Sequence, residues 1–339
     1  MYEKFGWVQL FDLSYLVDEN WWKYTENVQV EPWKRSDLKE SAEVCEKIFP
    51  KEYLITERKI KEYLLKQKEF DCQASFTLRK TMDGKMIGVI GVKTAENQEL
   101  YPSTAWISIF GIDRDYQDCG YGTILLHRTL GALRKKGIKK VCLGQDFANF
   151  FSGIPKPDEK KCRFFQNEGF HLNAEEHYDL EGNVSENEQI ENFNTDYWEQ
   201  FYETEVFQGE KKQFLSFLHH EFPGRWEYEA EKALEKKKDP REILLLWKKD
   251  RSEILGYCML SVEKNVHGQK TCGGLGPIGI SKKIRGQHVG NYLLCQSLRQ
   301  LDNLGVELVN IDWTILKDFY GQFGFQAVRI YRAGYLLLE

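Results

Sequence analysis

The stretch Gln117-Asp118-Cys119-Gly120-Tyr121-Gly122 is answered 168 residues later by Arg285-Gly286-Gln287-His288-Val289-Gly290. Each lies between an apolar run and a segment of helical periodicity. The runs are Ala105 to Ile112 and Leu275 to Ile280. The helical segments are Gly122 to Lys136, apolar at Ile124, Leu125, Leu126, Leu130 and Leu133, and Gly290 to Leu304, apolar at Tyr292, Leu293, Leu294, Leu298 and Leu301. The first closes on Arg134-Lys135-Lys136-Gly137, cations followed by the glycine that stops a helix. The same offset lays Asp83 to Gly88 on Arg251 to Gly256, Phe110-Gly111-Ile112 on Ile278-Gly279-Ile280, and Gly137 on Gly305. An ordered series of matches at one shift is an internal repeat. With 339 residues the chain reads as two domains, 1–183 and 184–339.

Outward from the repeat, both halves follow one plan. Helical patterns come first: Asp37 to Ile48 and Glu57 to Leu65, then Lys211 to His220 and Glu227 to Lys237. Hairpins follow, Ala74–Arg79 with Met86–Val92 around Asp83-Gly84, and Ile243–Trp247 with Ile254–Val262. After each Gly137/Gly305 stop comes another strand, Ile138 to Leu143 or Val306 to Ile311. A short amphipathic stretch then closes on Gly169-Phe170 or Gly324-Phe325. The first half carries extra residues, Ala148 to Lys160, that read as a loop. The polar run Glu181 to Glu188 reads as the linker, and the aromatic start, Phe5 to Trp22, as a cover on one domain.

The strand-to-helix turn has the physics of an anion site. The first amides of a helix lack partners inside it, and the helix dipole favours negative charge there. Glycines allow the backbone to close on phosphate oxygens. A ligand-free tight turn is the alternative, and recurrence before two helices of equal length weighs against it. The dinucleotide fingerprint is absent, as is the G-K-[ST] of a P-loop.

The pattern Q/R-x-x-G-x-G/A between strand and helix, followed by Y-x-x-x-G-F, resembles the GNAT superfamily of acyl-CoA-dependent N-acyltransferases. It covers both halves, in a tandem, mycothiol-synthase-like arrangement. The resemblance implies an α/β (α+β) fold: two GNAT-like domains, each a mixed, mostly antiparallel sheet flanked by helices. In that fold strands four and five splay, and the pantetheine arm of acetyl-CoA enters the gap. Carried over by residue, Gln117, Gly120 and Gly122 match fully. The amides of Asp118, Cys119, Gly120, Tyr121, Gly122 and Thr123 are implied to hold the pyrophosphate, and the backbone of Phe110, Gly111 and Ile112 to align pantetheine and acyl carbonyl. In the second half Ile278, Gly279 and Ile280 take the strand role, and Arg285, Gly286, Gln287, His288, Val289, Gly290 and Asn291 the loop role. His288 there replaces a glycine. The family's tyrosine acid maps onto Tyr320, whereas the first half has Phe165. The resemblance therefore makes the second half the expected catalyst, with the first half, using water or a thiol such as Cys162, as the runner-up.

A base must take the amine's proton. Asp312 is the candidate in the second half, although an Asp there also caps the next helix. Asp113 and Asp115 are the equivalents in the first half and read as solvated. The cluster His219-His220-Glu221-Phe222-Pro223-Gly224-Arg225-Trp226 reads equally as a substrate contact or a helix end, and adjacent His residues on a helix point apart, which disfavours a metal. There are eight cysteines and no C-x-x-C, so they read as reduced thiols and no metal is expected. Basic and acidic residues number 47 and 52, giving a net charge of −5, spread over both halves. That excludes the electrostatic footprint of a nucleic-acid binder. No apolar run approaches a membrane span, and Met1 to Lys4 do not open like a secretory signal. The reading is a cytoplasmic acetyl-CoA-dependent N-acetyltransferase acting on a small-molecule or peptide amine, monomeric as a pseudo-dimer or homodimeric. A non-catalytic acyl-CoA-binding or regulatory protein is the alternative.

Overall fold

The computed structural model describes residues 27–95, 97–263 and 271–339. The aromatic segment Phe5 to Trp22 lies outside them. Two compact units emerge. One ends at His177 and adds Tyr331–Glu339, and the other is Tyr178–Ile330.

In the first unit β1 (Val28–Pro32), β2 (Phe76–Lys80), β3 (Met86–Thr94), β4 (Thr104–Ile112) and β5 (Lys140–Leu143) lie side by side. Every pairing is antiparallel except the parallel β4–β5. Side chains alternate across the sheet except at bulges, where Ile87 and Ser108 are the extra residues and the facing switches. Val89 and Ile109 join the core under α1 (Leu38–Ile48) and α2 (Glu57–Ile60, prolonged by a wide turn to Leu65). Ile87, Ile90 and Ile107 face Leu125, Leu126, Leu130 and Leu133 of α3 (Tyr121–Lys135). A two-residue strand, β6 (Ile154–Pro155), and α4 (Glu159–Asn167) follow β5.

Next in the chain is the long strand β7 (His171–Asn183), whose end from Tyr178 on belongs to the second unit. There α5 (Glu188–Glu191), α6 (Asp196–Glu199), β8 (Tyr202–Val206), α7 (Lys211–Glu221), α8 (Arg225–Glu235), β9 (Ile243–Lys248), β10 (Ile254–Glu263), β11 (Cys272–Ile280), α9 (Val289–Asn303), β12 (Leu308–Thr314) and α10 (Lys317–Gly321) repeat the plan. The last strand is β13 (Gln326–Leu337). The repeat holds to the residue: β4 and β11 each have 9 residues, α3 and α9 each have 15, all at the same offset.

Two expectations change. The polar run Glu181 to Glu188 begins inside β7, where Leu308, Val309 and Asn310 pair with Asn183, Gly182 and Glu181. Leu180, Gly182 and Val184 turn inward and Glu181 and Asn183 outward, a strand alternation that the glycine conceals. The boundary falls at 177/178, and the C-terminus returns to the first unit, where Gly334 to Leu337 pair antiparallel with Leu143 to Lys140. The open edge of β5 is covered by the chain's last strand.

Candidate active site

The parallel pairing of β4 and β5 ends early. Ile107 pairs with Leu143, the Gly144 amide donates to the Ile107 carbonyl at 2.9 Å, and β4 then runs on to Ile112 paired with β3 only. A cavity of about 630 Å³ opens at this fork, within the usual range for a ligand site. Phe110, Gly111, Ile112, Gln117, Asp118, Gly120, Gly122 and Thr123, all expected site residues, line it.

The loop is shaped for it. Gln117 Nε2 donates to the Ile112 carbonyl at 3.0 Å, which ties the loop back to the strand end. Asp118 and Gly120 have left-handed φ angles of 62° and 77°. Gly120 caps α3, whose first backbone bond is Ile124 N–H to Gly120 O, so the amides of Tyr121, Gly122 and Thr123 precede the helical ladder. Cys119 is exposed beside them, its thiol on the Gln117 carbonyl. Thr123 Oγ1 donates to Glu168 at 2.8 Å, and His127 holds the other Glu168 oxygen. Burial raises the Glu168 carboxyl, but His127 and Thr123 outweigh it and keep it below its ordinary value.

The far wall is where the sequence was silent. Gly144, Phe151, Gly153, Ile154, Pro155, Asp158, Lys160 and Lys161 border the cavity, most of them from the supposed plain loop. Two adjacent phenylalanines, Phe150 and Phe151, were the available signal, because an exposed loop has no reason to carry them. Phe151 packs on Phe49 at 5.3 Å and on Tyr53 and Tyr331 at 5.9 Å. Tyr53 Oη accepts the Lys156 amide at 2.7 Å. Lys93, on β3, donates to Asp146 at 2.6 Å and to the Phe147 carbonyl at 2.7 Å, with both charged side chains fully buried. Lys160 reaches across to Asp118 at 2.7 Å. Phe165 lines the same cavity with no proton to give. Asp113, expected in solvent, is buried, because Oδ1 caps the turn at Asp115 while the Asp113 amide bonds Ile87. Asp115 is exposed.

The second unit keeps one of these features and departs from the others. Arg285 does what Gln117 does, reaching the Ile280 carbonyl. His288 sits at φ 56°, a left-handed position that costs a side chain what it does not cost glycine. The Asn291 amide is turned back onto His288 O at 3.0 Å, and Trp198 donates to the Gln287 carbonyl. Gly286 is exposed, Val289 is buried, and Asn291 bonds Gln322. Ile278 and Ile280 pack against the core, and the ring of Phe222 lies over Gly279. Gly290 faces Phe319. Tyr320 is buried beside Phe319 and Phe325, and burial pushes its hydroxyl well up. Asp312 is exposed on β12, beside Ile311, which enters that core. Strand alternation therefore puts Asp312 and the core on opposite faces. A cavity of about 210 Å³ between α8 and Gly276-Pro277 touches none of these residues. Among the described residues no cluster of His, Cys, Asp and Glu could hold a metal, and no helix is long and apolar enough to cross a membrane.

A fork between parallel strands, feeding a glycine-bent helix start, and its duplication in one chain define the class. The acetyltransferase (GNAT) family matches residues 39–152 and 195–325, and the chain belongs to that family. Three solved structures share the fold. One is the GCN5-related glucosamine N-acetyltransferase region of a fungal multi-domain GH3 β-N-acetylglucosaminidase, with TM-score 0.78 and 20% identity over 91% of this chain and 38% of that one. This chain thus spans well under half of that protein's length. A GCN5-related N-acetyltransferase from Sphaerobacter thermophilus has TM-score 0.69 and 13% identity, over 91% and 95%. A tandem GNAT protein from the clavulanic acid biosynthesis pathway has TM-score 0.59 and 11% identity, over 91% and 98%. No curated protein matches the chain.

Proposed function

We infer that the chain transfers an acetyl group from acetyl-CoA to a primary amine of a small molecule or peptide, and that the cofactor site is in the first unit. The observation that carries this is the cavity at the β4–β5 fork, continuous with the loop Gln117 to Thr123. The residues suit the cofactor. Unpaired amides and the end of α3 meet a diphosphate, Ile109, Leu143, Phe151 and Ile154 offer an apolar wall for pantetheine, and Lys160 and Lys161 stand at the rim for phosphate. The amine attacks the thioester carbonyl directly in a ternary complex. The C–N bond forms, the C–S bond breaks, and the amine's proton leaves with the thiol. Positioning and backbone polarisation of the carbonyl supply most of the rate.

Titrating acetyl-CoA onto the whole chain by calorimetry tests the site, with one molecule bound expected. Thiol release with glucosamine, a polyamine and a free N-terminal peptide tests the reaction. Glucosamine comes first because the fungal region of like fold is named for it. Binding without release for any amine supports the non-catalytic alternative, which Phe165 favours. Absence of binding ends both readings.

A second reading puts the chemistry in the second unit, with Tyr320 as acid and Asp312 as base. Tyr320→Phe decides it. We expect thiol release within twofold of the parent, since Tyr320 is buried in the core. A loss of release with acetyl-CoA binding intact moves catalysis to the second unit.

A further inference from the structure

Ser108 breaks a rule that buried polar groups obey. It is 1% exposed, and its hydroxyl has no hydrogen-bond partner. Such a group costs free energy unless something arrives to pair with it. It also lines the cavity. Its place in β4 is special, because the β3–β4 register slips there. Gly91 pairs with Ile109 and Val92 with Ile107, which leaves Ser108 as the extra, bulged residue. Bulges beside active sites re-aim a side chain. The same residue follows Ile107, the last to pair with β5, so Ser108 stands at the head of the fork. Residues 110–112 lie beyond it towards the loop, about 7 to 13 Å along the strand at the usual rise. A ligand with its diphosphate on the loop and its arm along β4 is directed towards Ser108. The second unit has Gly276 at this repeat position and no hydroxyl to offer.

We propose that Ser108 is a catalytic residue of the first unit, its hydroxyl donating a hydrogen bond to the acyl carbonyl oxygen and to the oxyanion formed from it. The serine keeps its proton throughout. The proposal rests on the acetyl-CoA reading above and assigns the contact at its reactive end.

The test compares the full chain with Ser108→Ala and Ser108→Cys. Ser108→Ala is expected to lower kcat about a hundredfold, the lower end for one oxyanion donor. Affinity for free CoA stays within twofold, because the hydroxyl touches only the acyl group. The Tm does not fall, because an unpaired hydroxyl is removed. Ser108→Cys, close in shape with a weaker donor, falls between. A binding readout works without turnover. The parent is expected to bind acetyl-CoA threefold to tenfold tighter than CoA, the usual value of one hydrogen bond, and Ser108→Ala to lose that preference. The proposal is overturned if Ser108→Ala keeps kcat within threefold, if the preference survives, or if CoA binding and Tm fall together, which marks packing alone. A parent that binds neither acetyl-CoA nor CoA defeats the functional reading instead, and so the two failures stay distinct.

Discussion

Gly120→Val is expected to weaken acetyl-CoA binding by about tenfold to a hundredfold, while His288→Gly leaves it unchanged. Gly120 has φ 77° and ψ −3° at the cap of α3, with open space where a Cβ would project. No clash forbids the substitution, so its cost is conformational. A side chain in the left-handed region costs about 1–3 kcal/mol, more for a β-branched one. At about 1.4 kcal/mol per tenfold that gives the stated range. The loop escapes the strain only by turning away the amides that meet the diphosphate. The mirror substitution relieves strain at His288, but the second loop has the Asn291 amide and the Gln287 carbonyl already engaged. Calorimetric titration of both variants checks this. A Kd unmoved by Gly120→Val, or one moved by His288→Gly, places the cofactor in the second unit.

Particular residues show what the sequence could and could not carry. The loop, its strand and its helix were legible because their signals are local: apolar alternation, a glycine bend, a cationic helix end. Duplication then turned a weak motif into a firm one. The swap at the sheet edges was not legible. Tyr331–Leu337 and Tyr178–Asn183 have ordinary strand alternation, and nothing local says which edge each will meet. Lys93 was missed for a related reason. The apolar run Met86 to Val92 stops at Lys93, and a lysine normally marks the surface. Its partner is 53 residues away in a loop, and only tertiary structure joins them. Ser108 is one small residue within the apolar run Ala105 to Ile112, and an absent partner leaves no trace in sequence. Tyr320 drew attention by its motif position, and burial in a core is a property that motifs do not report.

That buried pair gives the largest expected loss of stability. Lys93→Met removes the cation and leaves the Asp146 carboxylate in a fully buried site. Stranding one partner of a buried pair costs about 3–5 kcal/mol. For a unit of this size each kcal/mol moves Tm by roughly 2–4 °C, so a fall of about 6–20 °C is expected. The damage is directed, because Asp146 and Phe147 follow Gly144 and precede Phe151, and Lys93 is what pins that turn from beneath. Gly144 adds to the constraint: at φ 66°, a Cβ there would lie 2.4 Å from the Phe151 carbonyl, so the turn has little room to reshape. Binding of acetyl-CoA should therefore weaken even at temperatures where the variant stays folded. Removing both charges, Lys93→Met with Asp146→Leu, should recover most of the Tm, since the buried charge is gone. It should not recover the affinity, because the bond to the Phe147 carbonyl is still missing. Thermal scans and acetyl-CoA titrations on the single and double variants separate these effects. Equal recovery of both quantities in the double variant would mean that the aromatic contacts of Phe151 with Phe49, Tyr53 and Tyr331 hold the cavity wall without Lys93.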